Sequence, residues 1–125
     1  MTEKRKYPRY NCEFKTKFDY YEGNPEKIDT DKDTPQKCKG HILDISQGGV
    51  FIVSVTRVAI GMPLRIKFST KKNKYNVMGF IVRTGLLENN PSKIAQKFAK
   101  FSSKGDSYIA VEFDKTITED IKEEI

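Results

Sequence analysis

Apolar and polar residues alternate through most of this chain, in short runs separated by turn residues. From Tyr10 to Tyr21, Cys12, Phe14, Thr16 and Phe18 fall on one face, with Lys15, Lys17 and Asp19 on the other. A period of two predicts a half-buried strand. Residues Glu22 to Gln36 are polar and rich in Asp, Pro and Thr, and read as a long loop. The pattern predicts further strands over Cys38–Ile45, Val50–Val55, Leu64–Phe68, Tyr75–Leu87 and Tyr108–Phe113. Gln47-Gly48-Gly49 is a turn whose glycines are able to take positive φ. Lys71–Lys74 is a basic hairpin loop. Gly79, inside the longest strand, predicts a bulge or a bend.

The period changes twice. Ile94, Ala95, Phe98 and Phe101 recur at helical spacing with lysines opposite, which predicts a short amphipathic helix over 92–101 with Ser92 as its cap. Thr118 to Ile125 reads as a short C-terminal helix, opened by Glu119 and Asp120. Six short strands joined by short turns favour a closed antiparallel arrangement over a parallel sheet. The expected fold class is all-β: a six-stranded antiparallel β-barrel with an inserted helix and a C-terminal helix. A chain of 125 residues fits a single domain over 1–125, with 1–10 as a mobile basic arm.

Charge adds an anionic partner to this picture. The chain has 23 Lys+Arg against 17 Asp+Glu, a formal net charge of +6. The balance is uneven, because residues 112–125 hold six acids and two lysines while Lys4, Arg5, Lys6 and Arg9 crowd the start. Two cysteines make no disulfide framework. The longest apolar run, about Val50 to Val55, is far short of the roughly 20 residues of a membrane helix. No apolar h-region follows the first residues. The expectation is a cytoplasmic protein with no membrane insertion.

The residues offer little for catalysis or metal. Cys38 and His41 stand in a C-x-x-H spacing, but on a strand positions three apart face opposite ways. With one His and two Cys, a soft four-ligand site is incomplete. There is no nucleophile elbow and no phosphate-binding glycine loop in the sequence. The expectation is therefore no enzyme, no metal and no cofactor. Two constellations remain. Arg5 and Arg9 form an R-x-x-x-R, weak alone in so basic a chain. Asp44, Ser46 and Gly49 form a D-x-S-x-x-G between two strands, a more specific pattern.

Their order on a basic six-strand chain resembles the PilZ domain family, and the likeness runs from about Lys4 to the C-terminal helix. The Gly-Gly-Val-Phe-Ile after the motif, the Gly-Met-Pro-Leu before the fourth strand and the final Tyr-Ile-Ala-Val-Glu-Phe belong to it. The resemblance implies a bacterial, six-stranded barrel that binds the second messenger cyclic di-GMP without catalysis. It assigns Arg5, Arg9, Asp44, Ser46 and Gly49 to the ligand, with Lys4 and Gly48 as secondary residues.

The chemistry suits such a ligand. A guanidinium forks onto guanine O6 and N7 or onto a phosphate. A carboxylate accepts from guanine N1–H and N2–H₂. Pro8 stiffens the arm. The expected output is an arm that closes on the ligand and alters a surface read by an effector protein. The rival expectation is a small basic barrel binding RNA or single-stranded DNA. Nucleic acid is disfavoured, since most aromatics alternate into the core. Two segments depart from the compact family pattern: the loop at 22–37 and the helix at 92–101.

Overall fold

A computed structural model describes residues 7–24, 26–87, 105–119 and 121–125. Its strands are β1 (Tyr10–Tyr20), β2 (Gln36–Ser46), β3 (Gly49–Ser54), β4 (Pro63–Ser69), β5 (Lys74–Leu86) and β6 (Ser107–Phe113). They close into an antiparallel barrel in the order β1-β2-β3-β6-β5-β4. The all-β barrel expected from alternation is the fold observed, and each predicted strand lies within two residues of an observed one.

Alternation produces this result because one face of every strand must leave water. Phe18, Ile42, Ile45, Ile52, Leu64, Ile66, Ile81 and Ile109 are almost wholly buried inside the barrel. Each such side chain stabilises the fold by roughly 1.5–3 kcal/mol. Phe14, Phe68 and Tyr75 extend the core toward one mouth as a stacked series, with centroids 6.3 and 5.0 Å apart. Ile117 and Ile121 join the same cluster from the C-terminal segment. Cys38 lies in the core, while His41 stands directly opposite Lys15. The C-x-x-H pair is thus split between environments, as strand geometry requires.

Three expectations need correction. The register shift in β5 falls between Ile81 and Arg83, not at Gly79. Gly79 instead permits close approach, since a Cβ there would lie 2.6 Å from Val111 Cγ1 and 2.7 Å from the Glu112 carbonyl oxygen. Neither Gly48 nor Gly49 takes a positive φ; among the described residues only Gly23, Gly61 and Gly105 do. The C-terminal helix contracts to a 3₁₀ turn over Ile121–Glu124. Eight residues are too few to hold an α-helix unaided, and burial of Ile117, Ile121 and Glu124 ties the segment down instead. The helix expected at 92–101 and residues 1–6 of the basic arm lie outside the described residues.

The basic loop between β4 and β5 is a tight turn, with Thr70 N–H donating to the Asn73 carbonyl at 2.8 Å. Thr70 Oγ1 accepts from the Lys72 and Asn73 amides. That turn also grips the C-terminal segment. The Glu124 carboxylate accepts from Thr70 Oγ1 at 2.7 Å, Asn73 Nδ2 at 2.9 Å and the Tyr75 hydroxyl at 2.7 Å.

Candidate ligand site

The D-x-S-x-x-G segment spans the end of β2, a two-residue turn and the first residue of β3. Register brings Arg9 to it. Tyr10 pairs with Ile45 and Asn11 with Asp44, so exposed Arg9 enters β1 beside the Ser46–Gly48 turn. Tyr7 lies over that turn, since a Cβ on Gly48 would meet its ring at 3.0 Å. Lys4 and Arg5 fall outside the described residues. Arg9, Asp44, Ser46, Gly48 and Gly49 are thus gathered at one end of the β1–β2–β3 sheet.

The turn is held from several sides. Ser46 Oγ accepts from the Gly48 amide at 3.1 Å, closing a local side-chain turn. The Gly48 carbonyl accepts from Phe113 N–H and the Gln47 carbonyl from Ile117 N–H, both at 2.8 Å. Gln47 Nε2 donates to the Glu119 carbonyl at 3.1 Å. The end of β6 and the chain beyond it therefore fix the turn before any ligand arrives. A fixed turn loses little conformational freedom on binding.

Asp44 is half-buried on β2. Its charge is felt by Cys12, whose thiol is pushed up to about 12, first by burial and then by the Asp44 carboxylate. Cys12 donates to the Ile42 carbonyl, with sulfur and oxygen 3.6 Å apart. This thiol is poorly suited to nucleophilic work, because the thiolate is suppressed at neutral pH.

Gly49 also has a part in the packing of the barrel. A Cβ at Gly49 would lie 2.2 Å from the Val111 carbonyl oxygen. The space it leaves is taken by β6, with which Gly49 pairs through Glu112. Gly49→Ala should therefore destabilise the barrel by about 3 kcal/mol through overpacking against backbone. Urea unfolding checks this, with an unchanged midpoint as the contrary result.

Two residues near the site escaped the motif reading. Asn11 stands across from Asp44 and Tyr7 over Gly48. Tyr7 had a signal available, since it lies between the two arginines. Asn11 had none, because its place depends on how β1 pairs with β2.

Fold and site together define a small closed β-barrel, with Arg9 placed beside an Asp-Ser-Gly turn. The profile of the PilZ domain matches residues 3–125. This chain belongs to the PilZ domain family. Among solved structures it is similar to the Bacillus subtilis inhibitor of motility MotI/DgrA, at a TM-score of 0.62 and 14% identity. That likeness covers 98% of this chain and 48% of MotI/DgrA, so the chain spans about half the length of that protein. It is also similar to the PilZ domain of YcgR from Escherichia coli, solved with c-di-GMP. Here the TM-score is 0.55 and the identity 11%, over 90% of this chain and 79% of the other. No curated protein matches the sequence.

Proposed function

We propose that this domain is a non-catalytic receptor for cyclic di-GMP. The observation that carries the reading is the β1–β2 register, which sets Arg9 and Asp44 at the same end of the sheet beside a braced turn. The two groups are complementary to different parts of one molecule. Asp44 accepts from the donor edge of a guanine, and Ser46 adds a hydroxyl. Arg9, with Arg5 four residues before it, offers forks to the phosphates or to guanine O6 and N7. Lys4 lies beside this pair in sequence. The YcgR PilZ domain, solved with c-di-GMP, supports the choice of ligand.

Ligand would bridge the arm to the turn and so favour the closed arrangement, by as much as its affinity for the two arrangements differs. The changed surface would then be read by an effector protein. Titration calorimetry with cyclic di-GMP tests the proposal. The expected result is saturable binding, with cyclic di-AMP binding far more weakly because adenine lacks the N1–H and N2–H₂ donors. Equal affinity for both cyclic dinucleotides, or no heat with either, would overturn it.

A further inference from the structure

Away from the Asp44 turn, the outer face of the barrel carries a second charged feature. Register sets Lys39 opposite Lys17, and Lys17 opposite Lys67, in one row across β2, β1 and β4. All three are exposed, with Lys15 and Lys74 close by along the same surface. Like charges directly opposite one another on a sheet destabilise it. Asp19 reaches Lys67 at 3.8 Å, while Lys15, Lys17 and Lys39 have no ion-pair partner among the described residues.

The row borders a groove of about 1030 Å³. The groove exists because β1 outruns β4. Pairing between them covers only Thr16–Tyr20, and with Lys15 level with Ser69, Tyr10–Phe14 extend past the end of β4. The floor is apolar, built from Phe14, Phe68 and Tyr75, with the exposed Val55 at the rim.

We infer that this groove binds an extended acidic segment of a partner protein, with carboxylates on the lysines and alternate apolar side chains on the aromatic floor. An extended strand directs successive side chains to opposite sides, which matches a surface of cations beside an apolar trough. The concave shape does not suit a flat lipid surface. Single-stranded nucleic acid fits less well, because base stacking needs open ring faces. Here Phe68 is 5% exposed and stacks between Phe14 and Tyr75. This inference does not depend on the cyclic di-GMP reading.

The test uses the full chain and a fluorophore-labelled octapeptide alternating Glu and Val, followed by anisotropy. Its controls are a Lys/Val octapeptide, a Glu/Ser octapeptide, an eight-nucleotide oligo-dT and vesicles containing phosphatidylserine. The expected result is saturable binding of the Glu/Val peptide, tighter than of every control. Lys17→Glu should weaken it about tenfold. The same variant should melt no lower than the parent, because it replaces the centre of a repulsive row with an attractive one. Oligo-dT or vesicles binding at least as tightly as the peptide would overturn the inference. So would absent peptide binding, or affinity unmoved by Lys17→Glu.

Discussion

Arg9→Ala is expected to weaken cyclic di-GMP binding roughly 30- to 150-fold, a loss of about 2–3 kcal/mol, while leaving the barrel as stable as before. The two halves of that result have separate origins. Arg9 is exposed just ahead of β1, so its removal opens no cavity. Its guanidinium would serve the ligand, and losing a forked, charge-assisted contact to a phosphate or guanine edge costs more than losing a neutral one. Arg9→Lys separates charge from shape. A lysine keeps the attraction to phosphate without the planar fork, so partial recovery is expected. Asp44→Asn should be comparably severe, because the amide nitrogen would face guanine donors with a donor of its own. Calorimetry gives the affinities and thermal melting the stability. Unchanged affinity in Arg9→Ala would remove the arm from the site.

Glu124→Ala is expected to destabilise the fold by about 2–4 kcal/mol, with roughly a 10 °C fall in Tm. Glu124 is only 2% exposed, and three side chains donate to its carboxylate. Truncation leaves the Tyr75 hydroxyl, Asn73 amide and Thr70 hydroxyl without their shared acceptor. Burial alone would push this carboxyl up. The hydrogen bonds from Thr70, Tyr75 and Asn73, with the Lys72 charge, outweigh burial and hold it below its ordinary value of 4.5. A folded-state value below the unfolded one means that the ionised carboxylate stabilises the fold above about pH 4.5. That contribution disappears as pH falls through the lower, folded value. Melting curves from pH 7 down to pH 3 should therefore show the gap between the parent and Glu124→Gln closing in acid. A gap independent of pH would mean that the clasp acts through shape alone.

The barrel was legible in the sequence because its cause is local. Each strand has one wet and one dry face, and the period of two records that directly in Phe14, Thr16 and Phe18 or in Leu64, Ile66 and Phe68. Features set by contacts between strands were not legible. Gly79 reads as a bulge from its own strand, yet its reason is Val111 on β6. The C-terminal segment reads as a helix from its acids, yet Ile117, Ile121 and Glu124 are held by groups far away in the chain. The candidate site divides in the same way. Its residue types were visible as Arg9, Asp44 and Ser46. Their placement at one end of the sheet depends on the β1–β2 register and on the shift between Asn11 and Phe14, which no single segment encodes.

Gly49 bears on how such motifs are read. Its missing side chain makes room for the Val111 carbonyl, so any chain that keeps β3 against β6 in this register must keep a glycine there. A descendant that had lost all interest in the ligand would still carry it, while nothing in the fold would compel it to retain Arg9. The glycine therefore testifies to the barrel, and only the exposed arginine bears on the proposed ligand.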